Sequence, residues 1–420
     1  MPCSKIRLAS RTKGRAEVNI DGHYESKIYT SGSRISGEVI VYPSEDIQSP
    51  CLQVSLIGTA KTLMETVPAP RVTTCTFLAM DSPLTDQYDS FEAGCARAIP
   101  FDFIIPHEIP VTESTVNRPT GVMRSYQQKL PPSLGGGWEA RDMSPLCCRI
   151  RYEIKAVVTK KTEDGKITGE IAASRTITIL PSHPEEPPSG LGEDNVVYTL
   201  KKRKTHRGPL FKKLGYVTAT LAEPEALRVD PRGGVVPYHD HNLYIDIGYE
   251  LLKTNKLADT KPLEVNVVSG KIESQTWFSD TGMTKLPNMI PPRTAAIAYQ
   301  PLCYTTSVPI EFEDVFQKPW VSGQKEDDLG SILRTSLKVS VASKAGDVLM
   351  LPTFYSRIIA RTYTVRLTIN VGGVGGVNFN LSAPLQVVVQ PSGVKLMSDC
   401  VLEEELPSFD SVAHARYEFV

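Results

Sequence analysis

Apolar and polar residues alternate one by one along much of the chain. The clearest example is RIRYEIKAVV at 149–158, where every second residue is apolar and charged residues fill most of the positions between. Because successive side chains of a strand point to opposite faces of a sheet, this pattern predicts a β-strand buried on one side. Asp164-Gly165 then suits a tight hairpin turn, and TITIL at 176–180 continues the return strand.

Similar short stretches occur in both halves of the chain. In the first half they are EVIVY (38–42), LQVSLIG (52–58), CTFLAM (75–80) and IPFDFIIP (99–106). In the second half they are GYVTATL (215–221), NLYIDIGYEL (242–251), LEVNVVSGKI (263–272), SLKVSVAS (336–343), TYTVRLTINV (362–371) and FNLSAPLQVVV (379–389). Helical periodicity is hard to find, and 32 prolines and 29 glycines punctuate the whole length. The pattern predicts an all-β fold built from antiparallel strands.

The alternation stops after Leu180, where PSHPEEPPSGLGEDN has the proline and charge content of an exposed connector. A chain of 420 residues also exceeds the usual size of one hydrophobic core. We therefore predict two tandem antiparallel β-sandwich domains. They are placed at 1–182 and 215–395, with a linker containing a basic segment at 183–214 and an acidic flexible tail at 396–420.

Overall charge gives the chain no general attraction to nucleic acid or to membranes. The sequence has 46 basic and 47 acidic residues, a net charge of −1. The basic N-terminus has no apolar segment behind it, and no long apolar run occurs, so a cytoplasmic location is expected. The eight cysteines lack the spacing of a zinc site and are expected to be reduced thiols.

Sequence signatures of catalysis are missing. The chain has no GxSxG, Walker, HExxH or GxGxxG motif, and GGVGG at 372–376 lies between strand patterns, where a turn or bulge explains it better than a phosphate loop. His239 and His241 share a face of an extended segment, but no third ligand is evident nearby. We expect no enzyme activity, no cofactor and no metal site.

Several phrases, taken in order, resemble the arrestin-like fold. YTSGSRISGEVIVYP (29–43) followed by LQVSLIGTAKT (52–62) resembles the opening strands of its N-terminal domain. Later phrases resemble the rest of that domain and the closing strands of the C-terminal domain: IPFDFIIP (99–106), LPPSLG (130–135), CRIRYEIKAVV (148–158), LPTFYSRIIARTYTVRLTINV (351–371) and FNLSAPLQVVV (379–389). The resemblance covers residues 17–181 and, more loosely, 215–391, and is closest to the α-arrestins of fungi. That family implies cytosolic adaptors that bind membrane receptors or transporters and bring a HECT-type ubiquitin ligase of the Nedd4 class to them.

The tail contains a variant of a docking motif. Pro-Pro-x-Tyr and Leu-Pro-x-Tyr segments bind WW domains, and Leu406, Pro407 and Phe409 occupy the matching positions in LPSF. Phenylalanine keeps the ring but loses the hydroxyl, which can leave a polar partner unpaired at a cost of about 1–3 kcal/mol. A degenerate ligase-docking site and a plain tail are both consistent with this sequence.

One segment departs from the balanced charge. KKRKTHRGPLFKK at 201–213 has seven basic residues and no acid: Lys201, Lys202, Arg203, Lys204, Arg207, Lys212 and Lys213. Each such charge can contribute about 1 kcal/mol near an anionic leaflet, so binding to anionic lipids is one interpretation. Acidic or phosphorylated receptor tails, a nuclear-import signal and a solvated basic loop are the others.

Together these observations predict a non-catalytic cytosolic adaptor for endocytosis and sorting. It would bind cytoplasmic parts of membrane receptors or transporters and recruit a Nedd4-class ligase at the plasma membrane or endosomes, without binding nucleic acid. One alternative is an arrestin-fold trafficking or signalling scaffold that recruits no ligase. Another is a β-sandwich enzyme or carbohydrate-binding module, which needs acidic or aromatic residues gathered on one face.

Overall fold

We describe the fold from a computed structural model of the chain. It describes residues 14–65, 69–83, 89–110, 121–161, 167–187, 191, 195–208, 210, 212–229, 241–252, 262–290, 301–324, 331–343, 348–373 and 375–389. Met1–Gln390 forms one compact unit. Strands dominate this unit, so the prediction of an all-β fold is confirmed.

The described residues between 14 and 179 form ten strands. They are β1 (Gly14–Ile20), β2 (Ile28–Tyr29), β3 (Arg34–Pro43), β4 (Ile47–Gln48), β5 (Pro50–Met64), β6 (Arg71–Asp81), β7 (Ser90–Phe91), β8 (Arg97–Ile104), β9 (Cys148–Lys161) and β10 (Ile167–Ile179). They form a three-stranded sheet in the order β1-β3-β8 and a five-stranded sheet in the order β2-β10-β9-β5-β6, while β4 pairs with β7. All pairs are antiparallel except β2 with β10.

The alternating residues of these strands bury one face of each sheet. Val39 of β3 and Phe101 of β8 belong to the same buried cluster as Leu56 of β5 and Ile154 of β9. Two sheets that share one apolar core in this way have the character of a β-sandwich. Gly37 marks a close approach in this sandwich, since a Cβ built there would meet the backbone oxygen of Asn19 at 2.1 Å.

In the described part of 201–389 the chain forms twelve strands. They are β11 (Lys201–Arg207), β12 (Lys213–Leu221), β13 (Leu227–Val229), β14 (His241–Leu251), β15 (Val265–Phe278), β16 (Leu302–Gln317), β17 (Val321–Gln324), β18 (Ser331–Ser343), β19 (Phe354–Tyr355), β20 (Ile359–Val371), β21 (Val377–Leu385) and β22 (Val387–Val389). One ten-stranded sheet follows the order β11-β12-β14-β18-β16-β15-β20-β19, with β17 beside β18 and β21 beside β20. β13 pairs in parallel with β22.

Strand β16 joins the two parts of this large sheet. Its first half pairs with β15 through Phe278↔Leu302 and Lys271↔Pro309, and its second half pairs with β18 from Ile310 onward. The register shifts between Phe312 and Asp314, as expected for a bulge that bends a strand. The sheet can therefore fold over its own apolar core, which includes residues of both β14 and β20.

Helical structure is brief in the described residues. Helix α1 (Val122–Gln128) and a 3-10 turn at Pro287–Met289 lie near each other, since the Gln127 side-chain amide donates to the Met283 backbone oxygen at 2.9 Å. The GGVGG segment connects the paired strands β20 and β21, and Gly372, Gly373 and Gly375 have positive φ values. The predicted turn is confirmed there.

The named strands pair either within 14–179 or within 201–389, and one isolated bridge, Arg141↔Val348, links the two sets. The buried apolar cluster nevertheless runs through both sets. The division into two sandwich domains with the boundaries given above therefore stays a prediction. The Asp164-Gly165 hairpin and the tail at 396–420 lie outside the described residues.

Candidate functional site

The basic segment forms an edge strand, which differs from the expected linker or loop. Lys201–Arg207 is β11, paired antiparallel with β12 from Lys201↔Thr220 to Arg207↔Lys213. Its side chains alternate in direction, and His206 is buried while Lys201 and Arg203 are exposed. Apolar residues do not alternate along this segment, so its pattern did not predict a strand. Charged residues on an edge strand usually protect it against pairing with another chain.

Arg203 of β11 and Lys213 of β12 both stack on the ring of Tyr216. The Arg203 guanidinium lies 4.1 Å from the Tyr216 ring centroid and pairs with Glu250, and the Lys213 ammonium lies 4.1 Å from the same ring. A hydrogen bond from Lys213 to the phenol lowers the pKa of Tyr216, and the charge of that lysine adds to the effect. We call Arg203, Lys213 and Tyr216 the outer basic face.

The other side of β11 faces β21. The Lys204 ammonium donates to the Asn378 backbone oxygen at 2.6 Å and lies 5.8 Å from the Phe379 ring centroid. The His206 ring lies 3.1 Å from the Tyr249 hydroxyl through Nδ1, and burial lowers the pKa of His206. These contacts hold the strand in place, and Lys202 lies on the same side of it.

Lys202 lines a groove of about 560 Å³ on the outer face of the sheet formed by β15, β16, β20 and β21. The groove also contains Lys271 of β15 and Arg366 of β20, which are register partners. Its neutral polar residues are Thr199, Ser269, Ser307, Thr368, Asn380 and Ser382. We call this site the basic groove.

Glu273 holds two of the cations together. Its carboxylate accepts from the Lys271 ammonium at 2.8 Å and from Nε of Arg366. The glutamate side chain is only 11% exposed, whereas those of Lys271 and Arg366 are 49% and 48% exposed. Burial alone would raise the pKa of Glu273, but the hydrogen bonds from Lys271 and Arg366 outweigh it and lower that pKa. The carboxylate is therefore ionised at neutral pH and fixes both cations.

Donors remain in this groove for an anion. In the part of the chain that the structure describes, Lys202 has no ion pair or side-chain hydrogen bond, and the two terminal nitrogens of Arg366 have no acceptor. Of the three cations, Lys202 stood out in the sequence, whereas Lys271 and Arg366 did not. Both stand at polar positions of predicted strands, but only the pairing of β15 with β20 brings them side by side.

A buried arginine lies where the two strand sets meet. Arg361 of β20 is 0% exposed, and its Nη1 donates to the backbone oxygen of Asp142 at 3.0 Å. Its Nε and Nη2 are buried without an acceptor among the described residues. Cys148 is also buried nearby, and burial raises the pKa of its thiol. The sequence analysis assigned no role to Arg361.

A second cavity of about 400 Å³ combines carboxylates with tyrosines. The ionisable and aromatic residues of its lining are Tyr126, Glu185, Glu186, Glu223, Glu225, Tyr355 and Tyr363. Glu185 accepts from Arg228 at 3.0 Å, and Glu186 pairs with Lys129, so two of these carboxylates hold the local structure. A cluster of this kind is what the carbohydrate-binding or enzymatic alternative requires, and that alternative stays a prediction.

The remaining predicted positions are those of the tail and of the histidine pair. Leu406, Pro407 and Phe409 lie outside the described residues, as does His239. His241 is buried at the start of β14, and burial lowers the pKa of its imidazole. Within the ranges described, no three His, Cys, Asp or Glu side chains are arranged to hold a metal ion.

No protein-family model matches the chain, and no curated protein matches it either. Among the described residues, no helix has the length and apolar character needed to cross a membrane.

Proposed function

We propose that the protein is a non-catalytic cytosolic adaptor that binds anionic cytoplasmic segments of membrane receptors or transporters. The observation that carries this proposal is the basic segment, which is an ordered strand with cations held on both of its sides. Cations fixed by neighbouring contacts lose little conformational entropy on binding, so they suit recognition of an acidic chain better than a loose loop does. Anionic lipids are a second partner that this surface would suit.

The adaptor would act by linkage. The basic surface would hold the cargo, while Leu406, Pro407 and Phe409 would engage WW domains of a Nedd4-class ligase, raising the ligase concentration near cargo lysines. Recruitment to the plasma membrane or endosomes would follow from the location of the cargo. The resemblance to α-arrestins supports this arrangement.

A scaffold that recruits no ligase is the second candidate, and Phe409 favours it. The tyrosine of WW ligands contributes a hydroxyl that phenylalanine lacks. The two candidates share the basic surface and differ only in the tail.

Binding to the surface can be tested with the full chain and a fluorescent peptide of alternating glutamate and serine. We expect the double variant Arg203→Gln, Lys213→Gln to bind it about tenfold more weakly than the native chain does, and binding to weaken with added salt. The double variant Arg334→Gln, Lys338→Gln removes the same charge from exposed positions of β18 and should bind like the native chain. Equal binding by all three proteins would contradict a role for this surface.

The same variants can be tested on vesicles of phosphatidylcholine with and without phosphatidylserine. Binding that depends on phosphatidylserine and on Arg203 and Lys213 would add membranes to the partners of the surface.

The role of the tail can be tested by calorimetry of the full chain against WW domains of a Nedd4-class ligase. Native binding that is lost in Pro407→Ala would support ligase recruitment. Binding only by Phe409→Tyr would mean that the tail is a decayed docking site, and would favour the scaffold.

A further inference from the structure

Two adjacent cysteines, Cys147 and Cys148, have their sulfur atoms in contact. The two Sγ atoms lie 3.9 Å apart. Successive side chains of a strand point to opposite faces, so two neighbours inside a strand would not meet in this way. Here Cys147 lies in a turn just before β9, closed by a hydrogen bond from the Cys148 amide to the Pro145 backbone oxygen at 3.1 Å. The turn therefore allows both thiols to lie together.

Backbone contacts on one side hold the pair in position. The Leu63 amide donates to the Cys147 backbone oxygen at 2.8 Å, and Cys148 is the register partner of Thr62 in β5. Burial raises the pKa of Cys148, and the charge of Arg361 of β20 partly offsets that rise. The pair thus lies where the two strand sets meet, and a chemical change in it would act on contacts of both sets.

The two thiols differ in their access to solvent. Cys148 is 1% exposed, whereas Cys147 is partly exposed. A thiol reacts as a thiolate, and a dissolved oxidant must also be able to reach it. Cys147 is therefore the thiol that reacts first with such an oxidant. Cys148 is placed to react second, because its sulfur already contacts that of Cys147.

We propose that Cys147 and Cys148 form an oxidation site, at which a hydroperoxide produces a disulfide between these two neighbouring residues. The Cys147 thiolate attacks the outer peroxide oxygen and the O–O bond breaks. The alkoxide takes up the proton that Cys147 lost and leaves as an alcohol, so Cys147 becomes a sulfenic acid. The Cys148 sulfur then attacks the Cys147 sulfur, the S–O bond breaks, and the hydroxide leaves as water with the Cys148 proton.

In this sequence of steps two electrons pass from the pair of sulfur atoms to the hydroperoxide. A dithiol reductant can return both residues to thiols by thiol–disulfide exchange. The site uses neither the outer basic face nor the tail, so its test does not depend on the proposed function.

The test uses the full chain, tert-butyl hydroperoxide and mass spectrometry of tryptic peptides. Cleavage after Arg141 and Arg149 releases DMSPLCCR, which contains both cysteines and no other. We expect most of this peptide to lose two hydrogen atoms and to resist alkylation until dithiothreitol is added. An unmodified native peptide, or a disulfide that joins it to a different cysteine peptide, would overturn the proposal.

Substitutions separate the roles of the two thiols. In Cys148→Ala the reaction should stop at the sulfenic acid, so dimedone should label Cys147 at least about tenfold more than in the native chain. Cys147→Ser should give neither product, because Cys148 is buried. Cys51→Ser is the matched control, since it removes an exposed thiol of β5 and should give the native yield of disulfide. Equal labelling of Cys147 in the native chain and in Cys148→Ala would overturn the role of Cys148.

A final arm needs no substitution and so remains decisive if a variant does not fold. Phenylarsine oxide bridges two thiols whose sulfur atoms can approach each other. The native chain should carry one arsenical on Cys147 and Cys148 and should then resist the hydroperoxide. A dithiol should release the arsenical, whereas a monothiol should not. Failure of the arsenical to bind this pair in the native chain would overturn the proposal.

Discussion

Replacing Arg361 with methionine should increase the free energy of unfolding. A guanidinium that is removed from water needs acceptors for its hydrogens and an opposite charge nearby. Arg361 is 0% exposed, and its Nη1 donates to the Asp142 backbone oxygen at 3.0 Å. Its Nε and Nη2 have no acceptor there. We therefore expect the buried charge to destabilise the folded chain by more than its contacts stabilise it.

The size of the effect follows from these atoms. Each of the two unpaired buried nitrogens costs about 1–3 kcal/mol, while the bond to Asp142 contributes about 1.5–3 kcal/mol. Methionine removes both terms and fills the space with a flexible apolar chain. Taking the middle of each range, the expected net gain is about 2 kcal/mol.

Urea unfolding followed by tryptophan fluorescence measures this change. The unfolding midpoint of Arg361→Met should rise at unchanged slope. Arg361→Lys is the control, because it keeps a buried charge and loses the guanidinium contact, and its midpoint should fall. Both variants leave the outer basic face untouched, so binding of the glutamate-serine peptide should not change.

A fall of more than about 1 kcal/mol in Arg361→Met would refute the reasoning. The guanidinium would then be a net stabilising group, which requires an anionic partner for its two remaining nitrogens. If the unfolding midpoint rises in both variants, Arg361 destabilises the native chain through the shape of its side chain and not through its charge.

Gly37→Ala should destabilise the chain by about 2–3 kcal/mol, because its Cβ would meet the Asn19 backbone oxygen at 2.1 Å, whereas Gly248→Ala should be near neutral, since its nearest neighbour is 3.7 Å away. Urea unfolding of the two variants checks this, and equal stability would contradict it. Burial lowers the pKa of His206 and His241, so the unfolded chain binds more protons between their folded pKa values and about 6.5. The stability that these two neutral histidines contribute is fully present above about pH 6.5 and is lost as the pH falls below that value. The free energy of unfolding should therefore decrease from pH 7.5 to 5.5. His206→Gln should show a smaller decrease in the free energy of unfolding over this pH range. The same decrease as in the native chain would exclude a contribution from His206.

Alternation along the chain determined the fold class. A period of two is a local property, so RIRYEIKAVV could be recognised as part of β9 from the sequence. The same signal located most of the larger strands in both halves. It missed β16, whose first residues are mostly exposed and do not alternate between buried and exposed positions. It also missed β11, because a strand of lysine and arginine has no apolar positions to alternate.

The composition of the candidate site was partly evident in the sequence, but its construction was not. KKRKTHRGPLFKK stood out by charge alone and supplied Lys202. Lys271 and Arg366 are ordinary polar residues of their own strands, and they become neighbours because β15 and β20 pair in one register. A shift of one residue would send one of them to the apolar side.

Local sequence fixes which face of a strand is buried, because that depends on neighbouring side chains only. Which strands pair, and in which register, depends on contacts between residues far apart in the chain and on the loops that close them. The fold class could therefore be predicted from the sequence alone. The basic groove and the buried environment of Arg361 exist only because tertiary packing selected one pairing among many.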